Sequence, residues 1–515
     1  MTSHTSMEIP SAPPAGRLEW WTLGAITAAF VALVTFWGIL TPIYDAPDEP
    51  LHLNSSIRLA EGWEWPDPGT AEVQNKVLAA RGQQSTPASE RSTFAELAQS
   101  QPGYHGVDQM TQHPPLYYAY TGTVLRAIAF EDIRADQALL AVRLAGLIFV
   151  VPLPFFLWQS VRRLTGSPKA AIVGAATVFA VPQLAHIMGS ASNDSATIAF
   201  SCAVMWLGIR IMTGDTRWLT TIGLGLALAL ALFTKGTAVP LVAFAGLVLL
   251  LWPRELTLSH RLLRAAAAMA VALLGGWWWL RNLLVFGRLQ PAGLRYPDNP
   301  FPEGQGPSVT WYIDQMWGRV SLSFWGNFGW LNHPMPVILT DILTVVALAV
   351  VVGFAFRRSA VRWRMVLLAS MPLLFLVGLV TQTWPTYVRT QLPAGMQGRY
   401  FFVVLVPLVV LSAVAWLRLV SPDRRRATGV GLLAVFAAIG LAGIVVEFRA
   451  VYTGIGDWLV HTPAGIPGAI VITVAAAALA VLALVMAIRF VRTDLPPVLH
   501  DAPAARDDRE PIAAG

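Results

Sequence analysis

The chain has 515 residues, of which 55% are hydrophobic and 13% charged, about half the charged share of a soluble globular domain. That balance excludes a water-soluble enzyme and indicates a polytopic membrane protein. A single cysteine, Cys202, excludes an intrachain disulfide and a Cys-rich metal site. The net charge of +6 resolves into topology markers rather than a nucleic-acid-binding surface.

Apolar runs long enough to cross a bilayer fall near 18–40, 138–160, 170–189, 196–213, 218–234, 237–252, 265–287, 337–356, 365–384, 401–418, 429–447 and 468–490. The expected fold is therefore all-α, with about 12 transmembrane helices over 18–490. The first run is too long and apolar for a cleavable signal peptide and is expected to be an anchor. The tails, 1–17 and 491–515, are rich in Pro, Ala and charge and are expected to be disordered.

At the end of the first run stands ThrProIleTyrAspAlaProAspGluProLeuHisLeu, 41–53, with Asp45, Asp48, Glu49 and His52 close together. Proline suits the first turn of a helix and not its interior, so Pro47 and Pro50 predict a helix starting near Asp48. At helical spacing Asp48, Glu49 and His52 would share a face. A carboxylate held at the lipid–water boundary suits a general base acting on a partly lipidic substrate.

The rest of the first long loop, 41–137, is polar, with helix-forming pieces at Thr70–Ala80 and Pro87–Ser100. It closes on GlnHisProProLeuTyrTyr, 112–118. Counting Leu116–Phe130 as a span would invert every later loop, so it is expected to lie in the interface.

From there on, arginines mark every second loop: Arg162 and Arg163; Arg210 and Arg217; Arg254, Arg261 and Arg264; Arg357, Arg358, Arg362 and Arg364; Arg418 and Arg424–Arg426. The positive-inside rule puts these loops and both termini in the cytoplasm.

The opposite face then collects Asp45, Asp48, Glu49, His52, His113, Asp194, Lys235, Arg281, Arg319 and Arg399. Each alone reads as solvated surface. Together, acids near the first span and cations near the fifth, seventh and tenth would make a pocket that holds a phosphate and removes a proton.

Lys235, one of three lysines in the chain, is either a snorkelling interface residue or a phosphate ligand. Arg399, in GlnGlyArgTyr with Tyr400, offers a fork of donors matched to phosphate oxygens. The aromatics Trp311, Tyr312, Trp317, Phe324, Trp325 and Trp330 suit a membrane interface, with one or two available to stack on a sugar. Asp45, Asp48, Glu49 and Asp194 could offer oxygens to Mg²⁺, Mn²⁺ or Ca²⁺. However, the second outer loop has one acid rather than a pair, and no histidines pair at helical spacing, so no catalytic metal or other cofactor is expected.

The order of these features resembles the GT-C superfamily, multi-spanning glycosyltransferases that use polyprenyl-phosphate sugars. More closely, ProAspGluProLeuHis (47–52), HisProProLeuTyrTyr (113–118), AsnAspSer (193–195), ThrLysGlyThr (234–237) and GlnGlyArgTyrPhe (397–401) are similar to a bacterial GT-C-like family of predicted membrane proteins, over about 30–420. The resemblance implies an inverting glycosyltransferase of the bacterial plasma membrane with its site facing outward. Asp48 would match the catalytic acid, with Glu49 beside it, and Asp194 the second-loop acid. Lys235, Arg399 and Arg281 would face the phosphate, with His52, His113 and Tyr400 lining the substrate site. Its partners would be a polyprenyl-phosphate-sugar donor, a glycan, glycolipid or protein acceptor, and the bilayer, with no nucleic acid. The absence of a paired acid and of a large C-terminal outer domain sets the chain apart from the oligosaccharyltransferases. Two other readings stay open: a flippase or transporter of lipid-linked sugars, and a lipid-linked glycan ligase or polymerase.

Overall fold

The computed structural model describes residues 13–101, 106–294, 296–359 and 361–494. Residues 1–12 and 495–515, within the tails expected to be disordered, lie outside the described residues.

Among the described residues the chain is helical, apart from one hairpin that pairs Asn327–Phe328 with His333–Pro334. Nine helices of the described residues are long and apolar enough to cross a membrane: Arg17–Leu40, Ala135–Thr165, Asp194–Met212, Leu258–Phe286, Val337–Phe354, Arg362–Thr390, Gly398–Leu419, Arg425–Val451 and Gly465–Arg492. A tenth is broken, Pro168–Phe179 bending by 64° into Pro182–Met188. Of the twelve expected spans the remaining two are the shorter apolar helices Trp218–Leu232 and Gly236–Leu251. The count of twelve therefore depends on two helices shorter than the roughly 20 residues a bilayer requires.

The bundle is a membrane protein by its surface as well as by its lengths. Ile338 is 73% exposed and Val352 72%, both on the span Val337–Phe354, few of whose residues are buried. Apolar exposure on that scale is stable against hydrocarbon and not against water. Inside, Phe30, Val34 and Trp37 of the first span meet Leu184, Met188, Cys202, Phe244 and Phe402 in one continuous core.

The loop after the first span builds a smaller core of its own, in which Ile43, Leu53 and Ile57 pack on Val77, Phe94, Leu139 and Val142. Its central helix is Glu49–Ala60, with Asp48 at the N-cap, where the two prolines predict it. Leu116–Ala127 packs across it, Thr121 Oγ1 meeting Ser56 Oγ at 2.8 Å. Twelve residues of helix reach about 18 Å, too short to cross a hydrocarbon core of about 30 Å. Asp108, buried against Glu49–Ala60, accepts from Asn54 (2.6 Å), Ser55 (2.8 Å) and the Met110 amide (3.0 Å).

Candidate active site

Of the residues expected on this face, the structure brings Asp48, Asp194, Lys235 and Arg399 together, in direct contact rather than across a hollow. Asp48 Oδ2 accepts from Arg399 Nη2 at 2.9 Å, and Asp194 Oδ1 accepts from Lys235 Nζ at 2.6 Å. Arg399 Nη1 lies 3.6 Å from Asp194 Oδ2, in ion-pair range but too long for a hydrogen bond, and neither atom has a hydrogen-bond partner among the described residues. The charges thus alternate along one row: Lys235, Asp194, Arg399, Asp48.

The row comes together because three of its members sit at the ends of apolar helices, while Asp48 caps the loop helix Glu49–Ala60 that follows the first span. Asp194 opens the Asp194–Met212 helix, and Arg399 follows Gly398 at the start of Gly398–Leu419. Lys235 fills the break between Trp218–Leu232 and Leu241–Leu251. Gly398 is required by a close approach: a Cβ there would strike the backbone of Val320 and Phe324. Its amide donates to Ser323 Oγ at 2.7 Å, which aims the next residue at Asp48. Tyr400 lies beneath both cations, its ring centre 6.0 Å from Lys235 Nζ and 5.7 Å from the Arg399 guanidinium carbon.

Asp48 itself has φ +62°, a left-handed conformation that Asp tolerates better than most residues. Its carboxylate makes no capping bond to its own helix. Oδ1 instead accepts a 3.2 Å bond from Gln109 Nε2, and the side chain keeps 23% of its exposure, against 3% for Arg399. Asp48 is thus the most open member of the row.

Glu49 does something else, and its expected place beside Asp48 in catalysis is corrected by the structure. It is fully buried, with Arg143 Nη2 on Oε2 at 2.6 Å and Nε on Oε1 at 2.8 Å. The amides of Tyr44 (3.0 Å) and Ala191 (2.9 Å) fill its other acceptor positions. Arg143 completes the node by donating to the carbonyls of Gly38, Thr41 and Pro42, each at 2.8 Å, so all five guanidinium protons are used. Glu49 and Arg143 hold the turn 41–48 against the Ser190–Asp194 segment. Arg143 was missed at the sequence level, although a lone arginine inside the run 138–160 is the signal of a buried functional charge. Gln109 carried no such signal.

His52 stacks on Tyr118, with Nδ1 3.0 Å from its hydroxyl and Nε2 3.4 Å from Ser192 Oγ. Burial first, and then the nearby Lys235, hold the His52 and His113 imidazoles well below the usual histidine range, so both are neutral near pH 7. His113 Nδ1, Asn193 Oδ1 and Asn193 Nδ2 are buried without a hydrogen-bond partner among the described residues, three polar atoms available to a ligand.

Arg281, expected to face a phosphate, is instead drawn to Asp67 at 2.9 Å, with over a third of its side chain exposed. It also lies over the rings of Trp278 and Phe286. Arg319 contacts Gln315 one turn away on its own helix. Asp45 turns away from the row toward His333.

Comparison with solved structures finds ArnT from Cupriavidus metallidurans in the apo state, at TM-score 0.46 and 18% identity over 92% of this chain and 76% of that one. The same protein bound to undecaprenyl phosphate aligns at 0.46 and 17%, with the same coverage. The oligosaccharyltransferase of Archaeoglobus fulgidus in the apo form aligns at 0.42 and 11%, over 91% of this chain and 56% of that one. No curated protein sequence matches. A family model does match, across residues 30–411 and so through every member of the row from Asp48 to Arg399, and the chain accordingly belongs to the predicted membrane protein family DUF2142.

Proposed function

We propose that the protein is an inverting glycosyltransferase of the GT-C type, moving a sugar from a polyprenyl-phosphate donor to an acceptor hydroxyl of the cell envelope, at the outer face of the plasma membrane. The observation that carries this reading is the alternating row itself. It holds an accessible carboxylate, Asp48, and an arginine at the start of a span whose Nη1 has no hydrogen-bond partner among the described residues. A lipid-anchored phosphate would present itself at that depth.

In this mechanism the donor phosphate takes the free Nη1 of Arg399 and the ammonium of Lys235, an arrangement suited to phosphate oxygens. The Arg399 bond to Asp48 then loosens in favour of the phosphate. Asp48 Oδ1, held only by the neutral Gln109 amide, accepts the proton of the acceptor hydroxyl. The hydroxyl oxygen attacks the anomeric carbon from the face opposite the phosphate. The anomeric C–O bond breaks, and its electron pair leaves with the lipid phosphate, which gains a negative charge opposite two cations. No proton is needed on that leaving group at neutral pH, so one base suffices. The neutral His52 and His113, with Asn193, would bind sugar or acceptor hydroxyls.

Asp48→Asn tests the assignment. Purified in detergent with a polyprenyl-phosphate sugar, it should bind the lipid phosphate but lose about 10²–10⁴-fold in transfer, the usual worth of a general base. Wild-type turnover in that variant would remove Asp48 from the role. Failure of the wild-type protein to release any lipid phosphate would instead favour a flippase.

A further inference from the structure

A second cluster stands beside the row and is not used by it. Asp45 lies in the turn after the first span, His333 in the hairpin, and Glu447 near the end of Arg425–Val451. Their side chains converge so that one ligand atom from each falls within 4.8 Å of the other two. His333 Nδ1 is 2.8 Å from Glu447 Oε2 and 4.0 Å from Asp45 Oδ2.

Glu447 is the telling member. Its side chain is wholly buried, and its second oxygen, Oε1, has no hydrogen-bond partner among the described residues. A buried carboxylate is costly unless it is paired or coordinates a metal, and here a single imidazole is its hydrogen-bond partner.

We propose that Asp45, His333 and Glu447 bind one divalent transition-metal ion, Zn²⁺ or Mn²⁺, which pins the turn carrying Asp48 to the hairpin and to the last-but-one span. Bonds of about 2.0–2.2 Å from one ion set neighbouring ligand atoms roughly 3–4 Å apart; the two His333 separations are 2.8 and 4.0 Å, and all three ligand atoms lie within 4.8 Å of one another. One imidazole nitrogen with two carboxylates suits a borderline ion better than Ca²⁺ or Mg²⁺, which favour all-oxygen sites. Binding would displace the proton that bridges His333 and Glu447, and Glu447 Oε1 would be free to complete the coordination.

The ion would act where the backbone is under strain. Tyr44, next to Asp45, has φ +61° and Asp48 φ +62°. The hairpin already grips this turn through Trp330 Nε1, which donates to the Tyr44 carbonyl at 2.8 Å. A metal bridge from His333 to Asp45 adds a second grip from the same hairpin. This role is structural and holds whichever reaction the row performs.

The test is on the purified full chain in detergent, stripped with a chelator and titrated with Zn²⁺. One equivalent should bind and survive gel filtration, and the melting midpoint should rise. His333→Asn and Glu447→Gln should each lose at least tenfold in affinity, whereas Asp67→Asn, remote from the cluster, should not. Should the variants fail to fold, Mn²⁺ bound to the wild-type chain decides alone, because pulsed EPR should show coupling to a single imidazole nitrogen. No stoichiometric Zn²⁺ on the wild-type chain, unchanged affinity in the folded variants, or Mn²⁺ without nitrogen coupling would each overturn the proposal and leave a carboxylate–imidazole triad sharing a proton.

Discussion

Asp48 and Glu49 carry the same functional group on adjacent residues, and their surroundings divide their work. Glu49 has both oxygens saturated by a buried guanidinium and two amides, whereas Asp48 keeps nearly a quarter of its surface and one weakly held oxygen. Breaking a buried ion pair by removing one partner costs about 3–5 kcal/mol, because the other charge stays buried. Glu49→Gln should therefore lower the melting midpoint sharply or prevent folding, while Asp48→Asn should cost less, because its site is partly exposed and the buried Arg399 keeps Asp194 at 3.6 Å. If Glu49→Gln melts like the parent, the Arg143 node does not hold the turn. The two histidines add a pH dependence with a definite sign. Their folded pKa values are depressed by burial, so below the unfolded value of about 6.5 the unfolded chain binds more protons and stability falls. Above that pH they contribute no slope. The loss is at most about 1.4 kcal/mol per pH unit per histidine. Comparing melting midpoints at pH 7.5 and 5.5 for wild type and His113→Gln isolates it, the variant being expected to show the smaller drop.

Between elements, the decisive contacts are close approaches that depend on glycine. Gly189 lies so near the first span that a Cβ would sit 2.7 Å from the Val34 carbonyl, and this brings the Ser190–Asp194 segment to Glu49 and His52. Gly398 does the same for Arg399 against the Val309–Trp325 helix. Gly398→Ala should cost about 1–3 kcal/mol through overpacking and should swing Arg399 off Asp48. A lower melting midpoint with depressed transfer is the expected pair of results, and an unchanged midpoint would mean the helix yields to the methyl group. These glycines also mark what was legible beforehand. The start of the Asp48 helix, the non-spanning Leu116–Ala127 and the partners Lys235 and Arg399 all follow from proline placement, length and loop sign, which are local properties. The bidentate Arg143 pair, the Gln109 contact and the diversion of Arg281 to Asp67 depend on which distant surfaces touch. No spacing in the chain encodes that. Helical periodicity also misled at one point: it placed Asp48, Glu49 and His52 on one face, but Asp48 is a left-handed N-cap, so its carboxylate leaves in another direction from that of Glu49.

At the scale of the whole molecule, the row and the arginine-rich loops must lie at opposite ends of the bundle if the spans alternate, and their sidedness is open to direct measurement. Arg418 already shows how the basic end is built, its guanidinium capping the carbonyls of Phe354 and Ala355 between two spans. Arginine-rich loops resist translocation, so the row should face the outside, as the proposed transfer to an envelope acceptor requires. The chain suits a thiol-mapping experiment because its one cysteine, Cys202, is buried in the core and a buried thiol is inert. Glu303 and Arg424 are both exposed, one in the loop that leads to the Val309–Trp325 helix and one in a basic loop. Intact cells carrying Glu303→Cys should react with a membrane-impermeant maleimide. Cells carrying Arg424→Cys should react only after permeabilisation, and the parent chain in neither condition. The reverse pattern would put Asp48 on the cytoplasmic side, where a donor phosphate and an envelope hydroxyl do not meet, and the transfer mechanism would fail with it. The buried Glu49–Arg143 node and the Asp45–His333–Glu447 cluster would be untouched by that outcome, since both depend on helix packing and not on which side of the membrane they face.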